Sequence, residues 1–215
     1  MIIINELINA KLNEDKTNCK MSIENFDYKF KIILLGKWVV GKTSLISRYI
    51  DNIFKDDFIS PIGTYYETKN FDINNKKIKA YFWDRSENEH HIPIIFYKGS
   101  HGCIIIYDVN NKESYNEVRE WIEKAKTNAL KSARIILVGN KIDLTERKIT
   151  VEEGKKLAEE LGVKYFETSA KTDDNVKEAF DFLIKDILDN YKNISDNSIK
   201  LKNNYDTNKN NRCSM

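Results

Sequence analysis

The sequence predicts an α/β fold: a six-stranded, mostly parallel sheet with one antiparallel edge strand and helices on both faces. After residue 28, apolar runs alternate with segments of helical periodicity, a pattern typical of parallel sheets. The turn-rich stretch from Ile73 to Lys77 separates two strand-like runs and predicts a hairpin, which gives the antiparallel pair. A glycine-rich loop after the first apolar run predicts a strand–loop–helix unit.

The predicted elements follow one another in a regular order. The run from Tyr28 to Leu35 is the first strand, and the segment from Thr43 opens the first helix. The runs on either side of the hairpin turn are the second and third strands, and three later apolar runs complete the sheet. The predicted strands are 28–35, 66–73, 77–84, 102–108, 134–139 and 163–167. The predicted helices are 43–52, 88–98, 114–129, 150–161 and 173–190.

Both ends of the chain lie outside the predicted globular domain, which spans residues 21–190. Residues 1–20 are predicted to be a polar N-terminal extension, and an amphipathic helix that binds a partner is the alternative. Residues 191–215 are rich in Asn, Lys and Ser and predict a disordered C-terminal tail. Met21 is a second candidate for the start of translation.

Composition excludes several classes of function. The 215 residues carry 35 basic and 33 acidic side chains, and the formal net charge of +2 gives no reason to expect nucleic-acid binding. Cys19, Cys103 and Cys213 are widely spaced, which favours reduced thiols in the cytosol over a disulfide framework. Cys103 lies in an apolar run and is expected in the core. No apolar stretch approaches the roughly 18–20 residues of a membrane-spanning helix.

The glycine-rich loop, residues Gly36 to Thr43, matches the pattern G-x-x-x-x-G-K-[ST]. Glycines let successive backbone N–H groups converge on phosphate oxygens, Lys42 adds a positive charge at the β- and γ-phosphates, and the Thr43 hydroxyl is a ligand for Mg²⁺. The loop follows a predicted strand and precedes a predicted helix, which is the setting that the motif requires. It therefore predicts a site for a nucleotide with Mg²⁺.

Two further motifs follow this phosphate loop. Asn140-Lys141-Ile142-Asp143 comes after the fifth predicted strand, and Thr168-Ser169-Ala170-Lys171 comes after the sixth. Ligands of parallel α/β sheets bind at the carboxyl ends of the strands, where the phosphate loop and the first of these motifs fall. With the three motifs in this order, the chain resembles a small GTPase of the Ras superfamily.

Further residues narrow the resemblance to the Rab branch. The stretch 97–109 is similar to the Rab sequence Y-R-G-A-x-G followed by an apolar strand and Y-D. Trp83-Asp84 resembles the end of the third strand of Rab proteins, and Glu113-Ser114-Tyr115 with Trp121 resembles the start of their third helix. The resemblance covers residues 21 to about 190 and implies the P-loop small-GTPase fold. It also implies GTP or GDP and Mg²⁺ as cofactors, effector and exchange-factor proteins as partners, and a role in vesicle traffic.

The resemblance also implies how guanine is recognised. Asp143 would accept hydrogen bonds from the N1–H and the exocyclic amine of guanine, a pair of donors that adenine lacks. Asn140 would bind the O6/N7 edge, the backbone N–H of Ala170 would reach O6, and Phe54 would pack on the base. The implied nucleotide-binding residues are Gly36, Trp38, Val39, Val40, Gly41, Lys42, Thr43, Ser44, Phe54, Asn140, Lys141, Asp143, Ser169, Ala170 and Lys171. The implied metal ligands are Thr43 and, through a water molecule, Asp84.

The first of the two loops that sense the γ-phosphate departs from the family pattern. Nineteen residues after Lys42 the family has a threonine whose hydroxyl binds Mg²⁺ and whose N–H meets the γ-phosphate, and this chain has Pro61. Proline has neither group. Ser60 and Thr64 are candidate substitute ligands, but either would need a shift of the backbone register.

The second loop, residues 84–88, replaces the family pattern Asp-x-x-Gly-Gln. Glu87 takes the place of the glycine and brings a negative charge toward a negative ligand. Asn88 is a weak substitute for the glutamine that positions the attacking water, and Lys42 is the other implied catalytic residue. Trp38 occupies a position where the family has a small residue beside that water and any arginine finger. We therefore expect slow GTP hydrolysis and little structural difference between the GDP-bound and GTP-bound states.

Three other functions are alternatives at this point. His90 or His91 is a candidate general base for water, although phosphoryl transfer needs positioning and charge neutralisation more than a base. A pseudo-GTPase that presents a protein-interaction surface without switching is the second alternative. An adenine-specific P-loop kinase is the third, and Asp143 disfavours it.

The tail contains one candidate modification site. Cys213, followed by two residues, resembles a prenylation site, but the C-a-a-X signal has one residue more and the Rab double cysteine is absent. Nearby Lys and Arg side chains would attract an anionic membrane, each with about 1 kcal/mol. The expected location is the cytoplasm, and attachment to the cytoplasmic face of an endomembrane through this tail is the alternative.

Overall fold

The structure is a computed structural model that describes residues 25–55, 64–85 and 92–191. The strands are β1 (Tyr28–Leu35), β2 (Thr64–Ile73), β3 (Lys76–Arg85), β4 (Gly102–Asp108), β5 (Arg134–Asn140) and β6 (Lys164–Thr168). The helices are α1 (Lys42–Asp51), α2 (Ile94–Tyr97), α3 (Lys112–Asn116), α4 (Val118–Asn128), α5 (Val151–Leu161) and α6 (176–191).

The strands form one sheet in the order β2-β3-β1-β4-β5-β6. β2 pairs antiparallel with β3 at the edge, and the other neighbouring strands pair in parallel. Asn74 and Asn75 join β2 to β3 with φ of 52° and 60°, values that asparagine adopts more readily than most residues and that tight hairpins need. The predicted fold class and the predicted hairpin are confirmed.

Each face of the sheet carries its own apolar core, because the parallel strands are buried on both sides. On one face, Leu45 of α1 and Phe180 of α6 belong to one buried cluster. On the other face, Ile122 of α4 and Leu157 of α5 belong to the second cluster. Cys103 is fully buried there, as predicted, and burial raises the pKa of its thiol to about 12. None of the helices in the described ranges is both long enough and apolar enough to span a bilayer.

The helix predicted at 88–98 is confirmed only in part. The observed helix α2 covers only Ile94–Tyr97, and residues 88–91 lie outside the described ranges. Pro93 precedes the helix with an extended ψ of 141°. A proline ring also disfavours the helical conformation of the residue before it, so the helix begins only after Pro93.

The helix predicted at 114–129 is two helices. α3 begins earlier than predicted because the Asn111 side chain accepts hydrogen bonds from the N–H groups of Glu113 and Ser114. Glu117, with φ −76° and ψ −11°, then separates α3 from α4. The last helix begins at 176 and not at 173, because Asp173 and Asn175 have positive φ values of 65° and 54°. Tyr191, which was assigned to the tail, is helical.

His101 joins β1 to the start of β4. Its Nδ1 accepts a 3.0 Å hydrogen bond from the Lys31 N–H, which requires a neutral ring with its proton on Nε2. The ring also packs against Phe30 and Tyr191. Burial lowers the pKa of His101, and the charge of Lys31 lowers it further.

This arrangement predicts a pH-dependent stability. Because the folded-state pKa of His101 is lowered, the unfolded chain binds the proton more readily, and stability should fall as the pH drops below about 6.5. The loss should not exceed the strength of one neutral hydrogen bond, about 1 kcal/mol. His101→Gln supplies an acceptor that does not titrate, so this part of the pH dependence should disappear. Urea melts of both proteins at pH 5.5–7.5 test this, and parallel curves would contradict it.

Candidate functional site

One cavity of about 460 Å³ lies at the carboxyl ends of the strands. The phosphate loop after β1, the end of β5 and the loop after β6 all contribute to its walls. The residues that line it are Trp38, Val39, Gly41, Lys42, Thr43, Ser44, Phe54, Lys55, Arg85, Asn140, Lys141, Asp143, Leu144, Ala170 and Lys171. The structure therefore brings the three sequence motifs together around a single space.

Of the predicted site residues that the structure describes, four do not line the cavity, and each one bonds to a residue that does. The Gly36 carbonyl accepts a hydrogen bond from Lys42, and the Val40 carbonyl accepts one from Asn140. Asp84 accepts one from Thr43, and Ser169 donates one to Asp143. These four residues are therefore placed to hold the cavity walls.

Three lining residues were missed by the sequence analysis: Lys55, Arg85 and Leu144. Each directly follows a predicted site residue, and this adjacency was the only available signal. With Lys55 and Arg85 included, the lining has five basic side chains and one acidic side chain, the latter being Asp143. The cavity is thus strongly basic although the whole chain has a net charge of only +2. Such a surplus suits an anionic ligand.

The phosphate loop needs its two glycines for steric reasons. A Cβ atom at Gly36 would lie 2.1 Å from the carbonyl oxygen of Ile106, and φ there is +139°. A Cβ atom at Gly41 would lie 2.4 Å from Nδ2 of Asn140, and φ there is +97°. Val39 adopts a φ of 56°, which is strained for a β-branched residue. The loop is therefore held in a conformation that a generic turn would not adopt.

Lys42 lies at the start of α1, with its ammonium group turned back into the loop. Nζ donates hydrogen bonds of 3.0 Å to the Gly36 carbonyl and 3.1 Å to the Lys37 carbonyl. Burial lowers the pKa of Lys42, and the charge of Asp84 opposes this shift. A buried cation beside backbone N–H groups at a helix N-terminus is arranged to bind an anion.

Thr43 and Asp84 fit the requirements of a Mg²⁺ site. The Thr43 hydroxyl donates a hydrogen bond to Oδ2 of Asp84, and Asp84 is 1% exposed. Oδ1 of Asp84 is buried and has no hydrogen-bond partner among the described residues. Mg²⁺ prefers oxygen ligands and usually takes only one or two of them from the protein.

Asn140 connects the phosphate loop to the end of β6. Its Nδ2 donates a 2.9 Å hydrogen bond to the Val40 carbonyl in the phosphate loop, and its Oδ1 accepts a 3.1 Å bond from the Thr168 hydroxyl. Asn140 is 1% exposed, so these bonds are protected from water. The side chain thus clamps the phosphate loop to β6 and keeps one N–H of Nδ2 for a ligand.

Asp143 is oriented by the loop that follows β6. The Ser169 hydroxyl donates a 2.6 Å hydrogen bond to Oδ1 of Asp143, and the same hydroxyl accepts a 3.1 Å bond from the Thr172 N–H. Lys141, with φ of 67°, forms an ion pair of 2.9 Å with Asp108. These contacts present the carboxylate of Asp143 to the cavity as an acceptor for two parallel donors.

Several residues with predicted roles lie outside the described ranges, and those roles stay predictions. These residues are Ser60, Pro61, Glu87, Asn88, His90, His91 and Cys213, and the predicted extension at 1–20 and the predicted tail after Tyr191 also lie outside these ranges. Of the residues expected to affect hydrolysis, the structure places Trp38 on the cavity wall, where it is 53% exposed.

Comparison with known proteins places the chain in a family. A family model described as "Ras family" matches residues 31–189. Ras-related protein Rab-3C of Bos taurus is 43% identical over 171 residues, 78% of this chain and 75% of the relative. Ras-related protein Rab-3 of Caenorhabditis elegans is 40% identical over 169 residues, 77% of each chain. Ras-related protein Rab-3B of Homo sapiens is 39% identical over 184 residues, 84% of each chain.

These matches span most of the described domain. The sheet order, the phosphate loop and the three motifs around one cavity fit the same family. This chain therefore belongs to the Ras family of small GTPases, as a Rab-like member.

Proposed function

We propose that the chain binds GDP and GTP with Mg²⁺ in the described cavity and hydrolyses GTP slowly. The observation that carries this proposal is the position of Asp143, whose carboxylate is oriented by Ser169 in the same cavity that Lys42 and the phosphate loop line. A carboxylate so placed selects a base with two adjacent donors, and a basic loop selects phosphates. One cavity with both features fits a guanine nucleotide.

Each end of the ligand has its own set of residues. The backbone N–H groups of the phosphate loop and the Lys42 ammonium bind the inner phosphates, and Phe54 packs on the base. Mg²⁺, when bound, screens the phosphate charge, and Thr43 with Asp84 holds it. A carboxylate only accepts hydrogen bonds, so adenine, which lacks the donor pair, would leave Asp143 unpaired, and a site of this kind rejects such a ligand strongly.

The terminal phosphate is bound less well in this proposal. Pro61 and Glu87 replace the two residues whose N–H groups meet the γ-phosphate in the family, and Asn88 is one methylene shorter than the glutamine that positions water. Trp38 supports the same conclusion from the described part of the site, because an indole on the phosphate-loop wall restricts the space for water. Lys42 and Asn88 are the catalytic residues in this account.

Family membership supports a cellular role in vesicle traffic, with effector and exchange-factor proteins as partners. The match to Rab-3 relatives, at 40% and 43% identity over about three quarters of each chain, favours a role of the same kind. Cys213 and the basic residues near it are proposed to attach the tail to the cytoplasmic face of an endomembrane. Mass spectrometry of the native protein would show whether Cys213 carries a lipid.

Isothermal titration calorimetry with Mg²⁺ and GDP tests the proposed ligand. Micromolar or tighter binding of GDP, with no displacement by ATP, is the expected result. ATP displacing GDP at equal concentration would support an adenine-specific enzyme and contradict the role of Asp143.

A single-turnover assay of GTP hydrolysis tests whether hydrolysis is slow. The expected rate lies below about 3 × 10⁻⁴ s⁻¹, the intrinsic rate of an ordinary small GTPase. Combining Glu87→Gly, Asn88→Gln and Trp38→Ser should raise it, because these changes restore the water-positioning group and remove the charge and the indole. Trp121→Phe serves as a control, since Trp121 lies in the core on one face of the sheet and does not line the cavity. A wild-type rate at or above the ordinary value would contradict this part of the proposal.

A further inference from the structure

Arg48 lies in α1 and does not line the cavity, yet it is bonded to the loop that does. Its Nε donates a 2.8 Å hydrogen bond to the Ala170 carbonyl, and its Nη2 donates a 3.2 Å bond to the Lys171 carbonyl. Its Nη1 donates to the backbone and side-chain oxygens of Asn52, at 3.1 Å and 2.8 Å. All three nitrogens of the guanidinium therefore have acceptors.

Asn52 fixes the guanidinium at the end of its own helix. Asn52 is the C-cap of α1 with φ of 57°, and its N–H bonds to the carbonyls of Arg48 and Ser47. The backbone and side-chain oxygens of Asn52 then bind one edge of the planar guanidinium group of Arg48. The remaining N–H groups of Arg48 face Ala170 and Lys171 with little freedom to rotate, because a guanidinium presents its donors in a rigid plane.

The bond to the Ala170 carbonyl determines where the N–H of the next residue points. No peptide bond in the described ranges is cis, and in a trans peptide the N–H is directed opposite to the C=O. Since the Ala170 carbonyl faces Arg48, the N–H of Lys171 in the same peptide is directed away from Arg48. Ala170 and Lys171 both line the cavity.

We propose that Arg48 is a positioning residue for base recognition. By holding the carbonyls of Ala170 and Lys171 from outside the cavity, it fixes the backbone of this loop so that the Lys171 N–H, beside the Ala170 N–H, faces the 6-oxo group of guanine. The inference rests on the proposed binding of guanine nucleotides. It adds a residue in the helix after the phosphate loop to the determinants of base specificity, and so couples the phosphate end of the site to the base end.

The affinities for three nucleoside diphosphates distinguish this role from a general effect on folding. GDP and IDP both have the 6-oxo group, and IDP lacks only the 2-amine that Asp143 would bind. The 5′-diphosphate of 2-aminopurine riboside lacks the 6-oxo group and the N1–H. In Arg48→Met, the affinities for GDP and IDP should both fall about tenfold, the factor expected for one hydrogen bond, while the affinity for the 2-aminopurine nucleotide stays unchanged. Competition against a fluorescent GDP on the full-length protein measures all three.

Two milder variants and one control accompany Arg48→Met. Arg48→Lys keeps the charge and can bond one carbonyl, so its loss should be intermediate. Asn52→Gly keeps the left-handed backbone and removes only the side-chain acceptor, so its loss should also be partial and confined to GDP and IDP. Arg134→Met is the matched control, because Arg134 bonds Asp186 at 2.6 Å and does not line the cavity.

The outcomes are distinct. Equal losses for all three diphosphates in Arg48→Met, or no loss for any of them, would overturn the positioning role and leave the proposed function intact. If Arg48→Met fails to fold, Asn52→Gly and Arg48→Lys test the same role. In these variants too, the affinities for GDP and IDP should fall relative to the affinity for the 2-aminopurine nucleotide. If the wild-type protein does not bind GDP, the proposed function and this inference are both overturned.

Discussion

Replacing Asp143 by asparagine should weaken GDP binding about a thousandfold, because the change removes two charge-assisted hydrogen bonds of about 2 kcal/mol each. The asparagine amide would instead place a donor near the 2-position of the base. Xanthine has a carbonyl there, so the affinity for xanthosine diphosphate should rise in the variant. Competition binding with GDP and xanthosine diphosphate measures both changes.

Asp173→Asn is the matched control for this exchange. Asp173 is exposed in the turn before α6 and has a positive φ of 65°, which asparagine tolerates well. GDP affinity should therefore stay within about threefold of the wild-type value in this control. Unchanged GDP binding in Asp143→Asn would show that the carboxylate oriented by Ser169 does not recognise the base.

Removing the charge of Lys42 should have an effect of similar size at the other end of the site. Lys42→Met should lower GDP affinity at least about a hundredfold, because the phosphates lose a buried cation and a hydrogen-bond donor together. Burial lowers the pKa of this ammonium in the free protein, and bound phosphates would favour its charged form. Calorimetry with Mg²⁺ and GDP is the appropriate measurement.

Lys55→Met provides the comparison for Lys42→Met. Lys55 lines the same cavity but lies beyond the end of α1 and outside the phosphate loop. Its loss should weaken binding by a few-fold at most, in line with an exposed charge that water and salt screen. Equal losses in the two variants would indicate a general attraction between the cavity and anions, and would contradict a specific role of Lys42.

Much of the fold could be predicted because its signals are local. The apolar runs located both ends of all six strands to within two residues, and two consecutive asparagines located the hairpin. The start of α2 was not located correctly, since a single proline, Pro93, determined where it began. The break at Glu117 could not be predicted either, because that residue has no sequence signal against helix.

The parts of the candidate site that are formed by contiguous motifs could be predicted. The hydrogen bonds between residues far apart in the sequence could not. The phosphate loop and Asp143 were found from contiguous motifs. The clamp between Asn140 and the Val40 carbonyl joins residues a hundred positions apart, and the bonds of Arg48 to the loop at Ala170 span more than that. The basic lining contributed by Lys55 and Arg85 also depends on folding, because the overall composition is nearly neutral.

The central claim is a site that binds the base and the inner phosphates well and distinguishes the terminal phosphate poorly. One calorimetric comparison, Mg²⁺·GDP against Mg²⁺·GTPγS on the full-length wild-type protein, tests it most directly. The account predicts micromolar or tighter binding of both nucleotides, with affinities within about threefold of each other. Failure to bind either nucleotide, or binding of GTPγS more than about thirtyfold tighter than GDP, would contradict it, since thirtyfold corresponds to about 2 kcal/mol of contact with the terminal phosphate.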